Sequence, residues 1–196
     1  MKVLLASNNK KKLKELKSIL GAEFEVLTLA EAGVMSEPEE TGATFEENAE
    51  IKAVSACKAS GLPSVADDSG LSVDALGGAP GVYSARYGGE NTNDDKNNKL
   101  LLENLKGEKN RKARFISAVC FCMPKGEKFF SRGECAGVIL SEPRGENGFG
   151  YDPLFYIEKY KKTFAELSPD EKNKISHRGR ALAEIAPVIK EKINDK

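Results

Sequence analysis

Residues 113–140, ARFISAVCFCM-PKGE-KFFSRGECAGVIL, decide the fold class. The stretch 113–123 is apolar at positions of both parity, the pattern of a central strand covered on both faces. Pro124, Lys125, Gly126 and Glu127 supply a tight turn, and 128–140 reads as the returning hairpin partner. Upstream, residues 2–6 form a short apolar strand, and the polar run SNNKKK leads into a helix. That helix carries Leu13, Leu16, Ile19 and Leu20 on one face and ends at Gly21. A strand followed by a helix implies a crossover, so the hairpin and the crossover together predict an α/β protein with a mixed sheet, forming a single domain over 1–196.

Further elements follow from end signals. Thr44 and Glu47 form a capping box, predicting a helix that runs to Gly61 with Pro63 beyond it. Residues 64–67 return as a strand. Gly77, Gly78, Pro80 and Gly81 mark a tight loop, 92–105 carries a helical pattern stopped by Gly107, and glycines 145, 148 and 150 mark another loop. Ser168, Pro169 and Glu171 give an N-cap, a first-turn proline and a capping-box partner. Leu182, Ile185, Ile189 and Ile193 extend an apolar helical face, in which Pro187 predicts a kink.

Composition narrows the chemistry. Lys+Arg and Asp+Glu both number 30, so the chain has no overall bias toward nucleic acid or an anionic membrane. No apolar run is long enough for a signal sequence or a membrane span, which predicts a cytoplasmic protein. Four cysteines without C-x-x-C spacing read as reduced structural thiols. With one histidine, His177, any catalytic metal must be held by oxygens.

Several segments could carry chemistry. The strand-to-helix passage through Ser7, Asn8, Asn9, Lys10, Lys11 and Lys12 offers amide and ammonium donors to a phosphate, or is a solvated first turn. In Ala66-Asp67-Asp68-Ser69-Gly70 two adjacent carboxylates point to opposite faces if the strand continues, so one can enter a pocket while the other orients a lysine. Taken alone, Asp-Ser-Gly also suits a turn. Glu39 or Glu40 could complete a hard-oxygen Mg²⁺ site with Asp68. Asn48 and Lys52, one helical turn apart beside Ala49 and Ala53, aim a cation at a cleft. Phe149-Gly150-Tyr151-Asp152 could stack on a base and bind its donors, and Lys172, His177 and Arg178 are three donors near a helix junction. Neither a Walker motif nor a dinucleotide-binding glycine pattern is present.

In order, S-x-N-x-x-K (7–12), E-T-G-x-T-F-x-x-N-A-x-x-K-A (40–53), A-D-D-S-G-L (66–71), G-G-x-P-G-x-Y-S-A-R-Y (77–87), F-G-Y-D-P (149–153) and S-H-R (176–178) resemble the inosine triphosphate pyrophosphatase family. The likeness runs from about residue 4 to residue 182. Asn8 and Lys11 depart from the small residues that many members carry. The resemblance implies two lobes around a central nucleotide-binding cleft, a homodimer, and Mg²⁺-dependent hydrolysis of non-canonical purine triphosphates to monophosphate and pyrophosphate. It further implies that Ser7, Asn9, Lys12 and Lys52 neutralise phosphates, with Asn8, Lys10, Lys11 and Ser69 beside them. Glu40 and Asp68 would hold the metal, and Asp68 would activate water. Phe149, Gly150, Tyr151, Asp152, Lys172, His177 and Arg178 would surround the base, with Arg86 as a further phosphate contact. A Maf-like pyrophosphatase and a non-hydrolysing nucleotide sensor are the rival expectations.

Overall fold

The computed structural model describes residues 1–89 and 92–194. Among the described residues, seven strands form one sheet in the order β2-β1-β3-β4-β5-β6-β7. β1 (Lys2–Leu5) pairs in parallel with β2 (Glu25–Thr28) and with β3 (Ser64–Val73). β5 (Lys128–Ile139) pairs antiparallel with β6 (Phe155–Ile157), and β6 with β7 (Lys162–Thr163), so the sheet is mixed as expected. β4 (Lys112–Cys122) ends in the expected turn, where the Met123 N–H donates to the Glu127 carbonyl at 2.9 Å.

The helices are α1 (Lys10–Leu20), α2 (Phe45–Ser60), α3 (Asp94–Asn104), α4 (Pro169–Ile175) and α5 (His177–Asn194). The capping boxes at Thr44/Glu47 and Ser168/Glu171 are both formed, and Gly61 ends α2 in the left-handed conformation at φ 68°.

Three features depart from the sequence reading. β3 does not stop at Asp67 but continues to Val73, carrying Asp68, Ser69 and Gly70 inside the strand. β1 pairs with β3 only at Ser64 and Val65, so the continuation past Asp67 relies on the neighbouring long strand β4, and that tertiary pairing overrides the turn preference of Asp-Ser-Gly. The last helical region is two helices separated by Ser176, and Pro187 lies inside α5. Finally, β2, β6 and β7, of four, three and two residues, were not expected.

The chain divides into two compact units. Unit 1 comprises Met1–Asp68, Ser117–Gly133 and the chain from Arg178 onward. Its core joins Val3 and Leu5 of β1, Leu16 and Leu20 of α1, Val119 and Phe121 of β4, and Leu182, Ile185 and Ile189 of α5. A second cluster packs α2 by its small face, Ala49, Ala53 and Cys57, against Ala66, Cys120 and Cys122. All four cysteines are buried, and burial pushes the Cys120 thiol up to about 12, so it stays protonated and inert.

Unit 2 comprises Ser69–Ile116 and Glu134–His177. Leu71, Val73, Leu101, Leu105, Ile139 and Leu154 surround a group of phenylalanines. Phe115 meets Phe155 edge-on at 4.6 Å between ring centroids and stacks on Phe164 at 5.6 Å. Such pairs contribute about 0.5–1.5 kcal/mol beyond their buried area.

Candidate active site

The candidate side chains gather in two groups, one in each unit. In unit 1 the chain leaves β1 through Ser7, Asn8 and Asn9. The Asn9 Oδ1 accepts from the Lys11 and Lys12 backbone N–H groups at 2.9 and 3.3 Å and so caps α1, while the Ser7 Oγ accepts from Asn9 N at 3.1 Å. The Asn8 Oδ1 accepts from Ala30 N at 3.0 Å, fastening this passage to the segment after β2. Lys10 and Lys11 are exposed. Lys12 turns inward instead, its Nζ 2.9 Å from Asp67 Oδ1.

Because strand neighbours alternate faces, Asp67 and Asp68 meet different partners. Asp67 also takes the Arg178 Nε on Oδ2 at 3.0 Å, and Arg178 reaches Glu15 of α1 with Nη1 at 3.5 Å. Asp68 faces α2, where Lys52 Nζ lies 2.9 Å from Oδ1 and Asn48 Nδ2 lies 3.3 Å from Oδ2. The same Lys52 Nζ is 2.9 Å from Glu40 Oε1. Glu40 thus reaches Asp68 through a shared ammonium, while Glu39 is exposed.

The two aspartates consequently differ in acidity. Burial alone would raise the pKa of Asp67, but Lys12 and Arg178 outweigh it and hold the carboxyl far below the usual range. Asp68 is raised, chiefly by burial, with Lys52 opposing and the Glu40 charge adding to the rise. Burial also lowers Lys12 despite Asp67, whereas Lys52 is raised because Asp68 and Glu40 overcome its burial.

Among the described residues no three His, Cys, Asp or Glu side chains gather as a complete metal site. The oxygen pair of Glu40 and Asp68, converging on one cation, fits Mg²⁺ nonetheless. That ion binds through one or two carboxylates and fills its remaining positions with water and phosphate oxygens. One ammonium between two carboxylates also leaves a surplus negative charge for a cation to offset.

In unit 2 the ammonium of Lys172, on α4, pairs with the buried carboxylate of Asp152 and lies 4.8 Å from the Phe149 ring centroid and 5.3 Å from that of Phe164. Asp152 Oδ2 also accepts the Phe149 N–H at 2.9 Å, which closes the 149–152 turn. Gly148 is required there, since a Cβ on it would fall 2.0 Å from Asp152 Oδ2. Phe149 is 41% exposed, so its ring is open to a ligand. His177 stacks on Phe115 at 4.8 Å with the planes 12° apart.

The other expected residues are placed as follows. Arg178 joins Asp67 and Glu15 in unit 1 rather than the aromatic group of Phe149, Lys172 and His177. Tyr151 is buried, its hydroxyl donating to the Ser84 carbonyl at 2.8 Å. Arg86 is exposed and lies over the Tyr83 ring at 5.1 Å. Ser69 is half-buried on β3. Glu15 was missed, although its spacing of three from Lys12 on one helical face was a usable signal.

Comparison with known proteins gives a consistent picture. The Ham1 family model matches residues 3–188. A dITP/XTP pyrophosphatase from Exiguobacterium is 52% identical, covering 97% of this chain and all of the relative. One of the same name from Thermus thermophilus is 51% identical over 97% of this chain and 93% of its own length. The solved Ham1 protein of Staphylococcus aureus superposes with a TM-score of 0.91 at 41% identity, covering 98% of this chain and all of that one. On this similarity in sequence and in fold, the chain belongs to the Ham1 family.

Proposed function

We propose that the protein hydrolyses non-canonical purine nucleoside triphosphates, such as ITP, dITP and XTP, to the monophosphate and pyrophosphate. The observation that carries the reading is the division of labour on β3. Asp67 is spent on Lys12 and Arg178, while Asp68, with its raised pKa, shares Lys52 with Glu40. Relatives at about half identity bear the name dITP/XTP pyrophosphatase, which supports the same substrate class.

In this reading Lys12 and Lys52 neutralise the phosphates, helped by the loop that caps α1. Glu40 and Asp68 hold Mg²⁺, which supplies charge neutralisation to the reacting phosphate. Asp68 accepts a proton from the attacking water, a role that a raised pKa favours in a carboxylate. The base stacks on Phe149, and a 6-keto oxygen accepts from the donor pair of Lys172 and His177. Adenine's amino group would leave such donors unsatisfied, and polar matching of this kind discriminates by about 10⁴. A homodimer in the cytoplasm completes the proposal; no helix among the described residues is long and apolar enough to cross a membrane.

Pyrophosphate release measured over a panel of triphosphates tests the reading. ITP, dITP and XTP should be turned over far faster than ATP, in a Mg²⁺-dependent manner. Equal kcat/KM for ITP and ATP would remove the base assignment, and release of orthophosphate instead of pyrophosphate would remove the reaction.

A further inference from the structure

Gly150 follows Phe149 and stands two residues before Asp152, at φ 62°. Both of its backbone polar groups are taken by one helix. The Gly150 N–H donates to Asp94 Oδ2 at 2.6 Å, and the Gly150 carbonyl accepts from Asn98 Nδ2 at 2.9 Å. Asp94 and Asn98 are four residues apart on α3 and therefore share a face. The amide orientation of Asn98 is fixed chemically, because a carbonyl only accepts. The Asn98 Oδ1 is consequently left buried without a hydrogen-bond partner, a cost that the grip on Gly150 offsets.

We propose that Asp94 and Asn98 are positioning residues that set base selectivity by clamping Gly150, and through it the placement of Phe149 and Asp152. This rests on the assignment of the 149–152 turn to the base. The turn closes on itself through the Phe149 N–H on the Asp152 carboxylate and the Asp152 N–H on the Phe149 carbonyl at 3.3 Å, and its Asp152 end is tied outward to the Ala165 N–H and to Lys172, so the Gly150 end needs an external anchor of its own. α3 supplies that anchor from the same unit. Misplacing a recognition group by about 1 Å is enough to degrade a polar match while leaving remote reaction chemistry intact.

The test is kcat/KM for ITP and ATP in four variants, with melting curves, set against hydrogen exchange at the Gly150 amide. Asp94→Asn keeps an acceptor oxygen and should retain the ITP/ATP ratio of the unmodified protein. Asp94→Ala and Asn98→Ala each remove one bond and should lower the ratio about tenfold, through ITP KM with kcat little changed. Asn98→Asp sets an oxygen against the Gly150 carbonyl and should be the most damaging of the four. An unchanged ratio in Asp94→Ala and Asn98→Asp, or a fall confined to kcat, overturns the clamp. Should Asn98→Asp fail to fold, the contrast of Asp94→Ala with Asp94→Asn carries the same decision. An unmodified protein without any ITP preference would instead sink the base assignment, and exchange then judges the clamp alone. The Gly150 amide should exchange faster in Asp94→Ala than in the unmodified protein, and equal rates overturn it.

Discussion

Unit 1 and unit 2 each surround a lysine with partners, but of different kinds. Lys52 in unit 1 sits between two carboxylates, and Lys12 beside it meets the buried carboxylate of Asp67. Lys172 in unit 2 meets one carboxylate and the faces of two phenylalanines. The first arrangement is dominated by long-range charge in a poorly hydrated setting, where removing one charge leaves others uncompensated. The second is dominated by contact and direction, so its energetics fall off with shape. Rate and stability should therefore follow substitutions in unit 1, and selectivity those in unit 2.

Asp68→Asn provides the harshest challenge to this contrast. It preserves shape while removing basicity, and single-turnover ITP hydrolysis at saturating Mg²⁺ should fall about 10²–10⁴-fold. The melting temperature should fall little, since Lys52 keeps Glu40 as a counter-charge when Asp68 becomes neutral. Near-normal turnover would take Asp68 out of the mechanism and reduce the unit 1 cluster to a structural one.

Asp67→Asn should show the opposite split, destabilising the fold by about 3–5 kcal/mol because Lys12 and Arg178 then lack their shared counter-charge. Its pKa is depressed below the ordinary 3.8, so its contribution is complete above that value and fades as the pH falls below it. Urea unfolding of the two proteins should accordingly converge on acidification. A constant gap from pH 7 down to pH 3 would show that the carboxylate's charge is not the source of the stability.

Phe149→Ala sharpens the other half of the comparison. Loss of base stacking should cost about 1–3 kcal/mol of binding, read as a higher KM for ITP. Being 41% exposed, the ring contributes little to the core, and the melting curve should barely move. A fall in kcat with KM unchanged would place Phe149 outside the base site. Least of all, Lys10→Ala on the exposed first turn of α1 should change stability by less than about 0.5 kcal/mol and leave ITP KM as it was. A marked rise in KM would extend the phosphate site to the outer face of that turn.

Local chemistry made parts of this molecule legible. Thr44 with Glu47, and Ser168 with Glu171, announce helix starts that depend on no distant residue. The hairpin of residues 113–140 was equally readable, and the alternation that separates Asp67 from Asp68 followed from strand geometry once the strand was granted. The extension of β3 past Asp68 was not legible, because Asp-Ser-Gly favours a turn until a neighbouring strand, here β4, holds it extended. Neither was the pairing of Asp67 with Arg178 across 111 residues, which no periodicity encodes. Strands as short as β6 and β7 give too few residues for alternation to register.

That long-range pairing governs the order in which the molecule can be made. The N-terminal strand, α1 and α2 emerge early, yet the core they share is completed by Ala181, Leu182, Ile185 and Ile189 of α5. Until residues 178–193 have been synthesised, Asp67 faces Lys12 without Arg178, and the apolar faces of α1 and β4 lack the part of their cover that α5 supplies. Unit 1 is thus the first begun and the last finished, and unit 2, contained within residues 69–177, is the part of the nascent chain that can close beforehand.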